Sequence, residues 1–234
     1  MEKYCTLDDR LACAASFVRR GTVVCDVGTD HAYLPIYLIQ HGIIERAVVS
    51  DINEGPLERA RLDAMRYGVT DRLRFVLADG LDGVQPELDN VGDIVICGMG
   101  GELIARIIER SEYTKRSDVR LILQPMTCAP ELRSFLCANG YAIADERLCE
   151  AAGKLYTCLS VMYDGTVREL TRAERILGAR NIEKREPLFE SYAAGAIRRL
   201  RTQLDGMKKG GLDTTEVEAD LSSVVTACET EEKE

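Results

Sequence analysis

The residues most able to do chemistry fall in five short runs. The first is Asp26-Val-Gly28-Thr-Asp30-His31-Ala-Tyr33-Leu-Pro, beginning at the end of the apolar stretch TVVCDVG. Gly28 lets the backbone turn sharply and approach a ligand. One glycine is not the G-x-G-x-x-G fingerprint of pyrophosphate binding, so a nicotinamide oxidoreductase loses its main support. An acidic, glycine-turned loop suits an ammonium or sulfonium group, with a plain strand-to-helix turn as the simpler reading. The second run is Val-Val-Ser-Asp51-Ile52-Asn, 23 residues beyond Gly28. That is near the spacing of ~20 residues at which an acid accepts from ribose hydroxyls. The alternative role for Asp51 is a cap on the helix that follows.

The other three runs are weaker singly. Asp79-Gly80 is either an acceptor for an exocyclic amine or a turn. Cys97-Gly98-Met99-Gly100-Gly101 puts three glycines in four residues after an apolar run. It leaves backbone bare beside a ligand, or packs a helix tightly on a strand. Cys97 is then either an alkylatable thiol at the pocket edge or an inert buried one. Gln124-Pro-Met126 offers an amide that can read a base edge or satisfy a loop. Tyr33 and Tyr156 are stacking candidates.

These runs share one placement: each ends a strand-like segment. Strands are expected at 22–28, 47–52, 72–79, 93–98 and 119–125, with helices between them, over 55–68, 101–110 and 129–138 among others. Alternating strands and helices imply a parallel sheet covered on both faces, and ligands of such sheets bind at the strands' carboxyl ends. The runs 141–149 and 155–163 are too close for a crossover helix and predict an antiparallel hairpin. The expected fold is therefore α/β, a mostly parallel Rossmann-like sheet with a terminal antiparallel hairpin. Two units are expected, 1–164 and a helical 165–234. In the second, Leu188, Tyr192, Ala196, Leu200, Leu204 and Met207 form one apolar stripe, and Val217, Leu221, Val224, Val225 and Cys228 another. Gly210-Gly211 separates them and Asp213-x-x-Glu216 resembles a capping box. A coiled-coil-like helical hairpin follows.

Composition bounds the rest. The chain has 234 residues, 46% hydrophobic and 29% charged, which is ordinary globular usage. No apolar run approaches the ~18 residues that would span a membrane, and the acidic N-terminus is unlike a signal peptide, so a cytoplasmic protein is expected. Nine cysteines without C-x-x-C spacing and only two histidines signal neither a disulfide framework nor a metal site. The net charge of −9 hides a distribution: residues 1–164 sum to −7, 165–209 to +5 and 210–234 to −7. A basic helical segment lies between two acidic ones, the last ending in the acidic tail ETEEKE, which is expected to fray.

In order, LDDRLACAASFV, VVCDVGTDHAYLP, VSDIN, ADGL, ICGMGG and LILQPM resemble the bacterial tRNA methyltransferases that modify N1 of adenine 22, the TrmK-like family. The resemblance covers about residues 7–209 and departs at Met126, where Asn is commoner. It implies a class I S-adenosyl-L-methionine domain followed by a helical domain. Carried over, Asp26, Gly28, Asp30 and His31 would surround the methionine portion of the cofactor, Asp51 would hold the ribose with Ile52 beside it, and Asp79 and Gly80 would flank the adenine. Gly98, Met99 and Gly100 would wall the cofactor from the target base. Asp30, His31 and Tyr33 are the expected catalytic residues: the acid to offset charge developing on the adenine, the two rings to position it. The partner implied is tRNA. Arg10 would reach the active-site mouth or a tRNA phosphate, and Arg168, Arg172, Arg175, Arg198, Arg199, Arg201, Lys208 and Lys209 on the appendage would grip phosphates, with Arg168, Arg172 and Arg175 sharing one helical face. A monomer without metal or membrane contact is expected. The competing functions are methyl transfer to another substrate and a non-catalytic cofactor-binding module.

Overall fold

The computed structural model describes residues 4–229; the last residues of the acidic tail, 230–234, lie outside them. In chain order the elements are α1 (Asp9–Ala15), β1 (Val24–Val27), α2 (Tyr33–Gln40), β2 (Ala47–Asp51), α3 (Glu54–Arg66), β3 (Leu73–Leu77), α4 (Pro86–Asp89), β4 (Asp93–Gly100), α5 (Gly101–Glu109), β5 (Arg120–Thr127), α6 (Ala129–Ala138), β6 (Tyr141–Ala151) and β7 (Lys154–Tyr163). Helices α7 (Arg172–Leu177), α8 (Ala179–Lys184), α9 (Phe189–Lys209) and α10 (Thr215–Glu229) complete the described chain. Its strands form one sheet in the order β3-β2-β1-β4-β5-β7-β6. The first five pair in parallel, and β7 runs antiparallel to both β5 and β6. The expected Rossmann-like sheet with its terminal hairpin is the observed one.

Both faces are covered, which is why the strands read as unbroken apolar runs rather than alternating ones. Val24, Val49, Val95 and Ile122 pack on one side with Leu34, Leu38, Leu57, Ala60 and Ala64 of α2 and α3. Cys25, Val27, Ile94, Ile96, Leu121 and Leu123 pack on the other with Ile104, Ile108, Leu132 and Leu136 of α5 and α6. In α3 the residues at helical spacing, Leu57, Ala60 and Ala64, are the buried ones.

Beyond the hairpin the appendage is helical, as expected. Its helices α9 and α10 run antiparallel, with Lys208 at the end of α9 3.0 Å from Glu218 near the start of α10 and Phe189 at the other end clustered with Val224. Two local expectations differ. The box expected at Asp213-x-x-Glu216 does not close: Asp213 accepts from Thr215 N and Oγ1 at 3.0 and 2.6 Å, while Glu216 turns to Arg172. A full capping box stands instead at Thr171 and Glu174. Arg168, Arg172 and Arg175 do not share a helical face, because α7 begins only at Arg172. Among the described residues all three are paired internally: Arg168 with Asp164, Arg172 with Glu216 and Asp220, and Arg175 with Asp220. The acids that α10 supplies neutralise two of them, so this part of the basic segment is a structural seam rather than a free cationic face.

The two units meet through a buried joint. Leu148 of β6 belongs to the same apolar cluster as Ile176, Leu177, Phe189 and Tyr192. Arg133 of α6 and Glu146 of β6 are both fully buried and 2.7 Å apart. Arg133 Nη1 reaches the carbonyls of Arg175 and Ile176 at 3.2 and 3.1 Å, near the end of α7, and Nη2 donates to Thr157 Oγ1 at 3.4 Å. Glu146 Oε2 has no hydrogen-bond partner among the described residues, and it sits beneath Gly178, where an added Cβ would come within 2.3 Å. A buried ion pair with one oxygen already unsatisfied has little tolerance for losing its partner. Replacing Arg133 by Met is therefore expected to cost about 3–5 kcal/mol, the usual penalty for stranding a buried charge, measured as a lowered midpoint in urea. The double variant with Glu146→Leu should recover much of that loss.

Candidate active site

The runs singled out by their residue types converge at the carboxyl ends of β1, β2 and β4. Parallel pairing makes this unavoidable: Asp26 lies in register with Val49 and Val95, so each chain leaves its strand at the same edge. Gly28 adopts φ +75°, which lets the chain hook back so that Gly28 N and Thr29 N donate to Ser50 O at 2.8 and 3.2 Å. A Cβ at Gly28 would lie 1.8 Å from the Met99 methyl. The first loop and the Gly98–Gly101 segment are thus in contact; the φ favours glycine at 28, while the Met99 methyl, the end of a flexible side chain, could move aside.

Asp26 is buried, and its carboxylate accepts from Thr29 Oγ1 at 2.7 Å. Thr29 Oγ1 in turn accepts from Ala32 N at 3.0 Å, which fixes the loop. Burial pushes the Asp26 carboxyl up to about 6; the Thr29 hydrogen bond opposes this and the neighbouring Asp51 adds to it. Asp51, ending β2, accepts from Asn53 N at 2.8 Å through Oδ1, so part of the capping alternative holds. Ile52 beside it is 62% exposed, which is unusual for isoleucine at the end of a buried strand. Asp79 follows the end of β3 and pairs with Arg110 at 2.5 Å, which also holds Asp82 at 2.8 Å. Gly80 offers its carbonyl to Ser50 Oγ at 2.9 Å.

The glycine-rich run is the bulged end of β4 rather than a loop after it, since the pairing with β5 shifts register at Met99. Gly98 has φ +80° and open space where a Cβ would stand. Its N–H donates to the buried Gln124 Oε1 at 3.2 Å, which also accepts from Arg10 Nη1 at 3.3 Å. Gln124 therefore satisfies loop backbone and orients Arg10. Arg10 also pairs with Asp8 at 2.7 Å and lies 5.8 Å from the Tyr156 ring centroid. It stands beside the Gly98 bulge through Gln124, already held by a carboxylate. Cys97 is not the reactive thiol the alkylation reading required: burial pushes it well up. The thiol pulled down is Cys13, by the neighbouring thiols of Cys149 and Cys158.

The catalytic candidates sit together on the lip. His31 and Tyr33 rings stack with centroids 4.9 Å apart and planes 10° from parallel. Asp30 does not face inward as a free acid. Its Oδ1 accepts from Arg59 Nε at 2.7 Å, and its side chain is 63% exposed. Arg59 and Asp63 on α3 are the residues that sequence reasoning missed. Their i,i+4 spacing was visible, but not which loop that helix face would meet.

The comparisons agree with this geometry. A family model described as "Methyltransferase domain" matches residues 7–159. A tRNA (adenine(22)-N(1))-methyltransferase of Bacillus subtilis is 35% identical over 153 residues, 65% of this chain and 63% of that relative. A putative tRNA methyltransferase of Mycoplasma genitalium is 30% identical over 88% of this chain and 91% of its own length. The crystal structure of a putative tRNA (m1A22) methyltransferase of Streptococcus pneumoniae in complex with S-adenosyl-L-methionine superposes with a TM-score of 0.81, at 33% identity over 93% of this chain and 97% of that one. The chain belongs to this methyltransferase family. For a class I methyltransferase the donor set fits the cofactor: a buried carboxylate at Asp26, an acid and an exposed apolar side chain at Asp51 and Ile52, and bare backbone at Gly98. No group of three or more potential metal ligands occurs among the described residues, and no described helix is long and apolar enough to cross a membrane.

Because the Asp26 carboxyl titrates near 6, affinity for the cationic cofactor should rise between pH 5 and pH 7 as the carboxylate ionises. The sign for folding is opposite: a carboxyl whose native value is raised favours the folded state at low pH, and that contribution is lost as pH climbs from the ordinary range through 6. Asp26→Asn should therefore leave the apoprotein at least as stable at pH 7. It should weaken S-adenosyl-L-methionine at least about tenfold, a charge-assisted hydrogen bond being worth roughly 1.5–3 kcal/mol. Calorimetric titration at two pH values checks both.

Proposed function

We propose that this protein transfers a methyl group from S-adenosyl-L-methionine to N1 of an adenine, position 22, in tRNA. The observation that carries the reading is the shared strand edge. Buried Asp26, Gly28, Asp51 and bulged Gly98 meet at one strand edge, in a chain whose relatives carry that activity and whose structural neighbour binds that cofactor. Bound there, the cofactor supplies a methyl on a sulfonium, which adenine N1 attacks with its lone pair while sulfur keeps the bonding electrons.

The chain's own residues bind, align and shield. Asp26 and the loop to His31 hold the methionine portion, and Asp51 and Ile52 the ribose and its surroundings. Asp79 and Gly80 lie on the adenine side. Gly98, Met99 and Gly100 form the wall through which the two reactants face each other. N1 already carries a lone pair, so no strong base is needed to make the nucleophile. Alignment supplies most of the acceleration, and effective molarities for well-oriented reactions reach ~10⁵ M or more. Unstacking the base from folded tRNA costs a few kcal/mol. The Tyr33 ring, held parallel to His31, is a platform on which a released base recovers part of it, stacking being worth roughly 1–3 kcal/mol per base.

The grip on tRNA falls to the face of α9 that no intramolecular acid covers. Arg198, Arg199 and Arg201 are exposed and make no ion pair among the described residues. Arg198 and Arg199 line a surface cavity of about 480 Å³ with Gly195, Thr202 and Gln203. Arg168, Arg172 and Arg175 contribute less, being held by acids already.

Mass mapping of nucleosides from tRNA incubated with enzyme and cofactor is expected to show N1-methyladenosine at a single position, lost when adenine 22 is replaced. Methylation elsewhere, or cofactor binding without any transfer, overturns the reading. The triple variant Arg198/Arg199/Arg201→Ala should bind cofactor normally and tRNA more weakly. Its log K against log salt plot should be shallower by about 2, each phosphate contact contributing roughly 0.7–0.9.

A further inference from the structure

We infer that Asp63 of α3 is a positioning residue that fixes the tautomer of His31, so that His31 Nε2 presents a hydrogen-bond acceptor to the exocyclic amine of the target adenine. The inference rests on the reading above for its substrate and on geometry for its chemistry. His31 Nδ1 lies 2.7 Å from Asp63 Oδ2. The Asp63 side chain is only 14% exposed. An ionised carboxylate only accepts hydrogen bonds, so at that distance Nδ1 carries the proton and donates it to Asp63. In the neutral ring the other nitrogen then keeps its lone pair.

The placement makes this lone pair useful. The His31 ring stacks on Tyr33, whose side chain is at the surface. The His31 side chain itself is 33% exposed, so Nε2 belongs to the lip and not to the core. Its nearest charged neighbour is Asp30 Oδ2 at 3.6 Å, and Asp30 is drawn away by Arg59. Asp30 is therefore poorly disposed to contact the base directly, and His31 takes over the acceptor role. Adenine offers a donor at its 6-position where guanine offers an acceptor. A fixed Nε2 acceptor would select for the former, and a freely exchanging tautomer would not.

A tie that merely holds the 28–33 loop against α3 would need no particular tautomer, and the experiment separates the two. The full chain, labelled with ¹⁵N-histidine, contains only His31 and His41, and His41→Gln assigns them. On the alkaline limb of its titration wild-type His31 is expected to show a protonated Nδ1 and a bare Nε2. In Asp63→Ala the signal should move toward an exchanging mixture. In parallel, two tRNAs are compared, one with adenine at the target and one with unsubstituted purine, which keeps the N1 lone pair and lacks only the amine. The difference in intrinsic nucleophilicity is common to both enzymes and cancels. Wild type is expected to favour adenine by a ratio about tenfold larger than Asp63→Ala does, the range a single lost hydrogen bond spans, both ratios being taken at saturating cofactor.

A wild-type His31 protonated at Nε2 overturns the tautomer assignment. Equal adenine-to-purine ratios in the two enzymes overturn the role assigned to it. Should Asp63→Ala fold poorly, Asp63→Asn gives the same two readouts, since its amide can donate to Nδ1 as well as accept from it. Failure of wild type to methylate any tRNA would instead strike the proposed function and leave the ¹⁵N result standing.

Discussion

Everything at the site depends on β1 being clamped in parallel register between β2 and β4. A central strand of a parallel sheet is paired on both sides and buried on both faces, so its end cannot drift. Asp26, Gly28, Asp51 and Gly98 come from parts of the chain up to 72 residues apart in sequence, yet they share one edge because their strands all point the same way. The chain must then turn away at each end. Glycine at 28 and 98 lets it do so without covering the edge with side chains.

That edge carries an electrostatic tension. Asp26 is buried where, among the described residues, the Thr29 hydrogen bond compensates its charge, and Asp51 close by makes ionisation harder still. Such an arrangement costs stability in the apoprotein and is relieved by a cationic ligand. Around it, charges are held in pairs that leave the cleft itself unoccupied by cations. Arg59 takes Asp30, Arg110 takes Asp79 and Asp82, and Asp8 takes Arg10. Site and surroundings therefore divide the work: one unpaired buried acid for the ligand, paired charges at the rim.

The helical appendage follows the same logic on a larger scale. Its basic residues are of two kinds. Those facing α10 are neutralised by Glu216 and Asp220 and join the helices, while Arg198, Arg199 and Arg201 face outward. The Arg133–Glu146 pair and the cluster around Leu148 then fasten the appendage to the sheet. A rigid mount of this kind would keep a distant phosphate contact in fixed relation to the methyl-transfer site.

The sequence by itself determined the sheet, the hairpin, the helical appendage and the strand-end runs. These depend on local periodicity, on the spacing between apolar runs and on glycines at turns, all of which are short-range properties. It also placed Asp26, Gly28, Asp51 and Gly98 at one edge, because parallel strands leave no other choice. What only the tertiary structure decided is which charges are free. Arg172 and Arg175 read as open cations until α10 folds back with Glu216 and Asp220. Asp30 read as an acid for the base until Arg59 reached it. Asp63 had no assignable partner until α3 packed beside the first loop. A side chain's partners lie tens of residues away, and hydrophobic periodicity sets which face of a helix is buried without saying which charged group the rest of that face will meet.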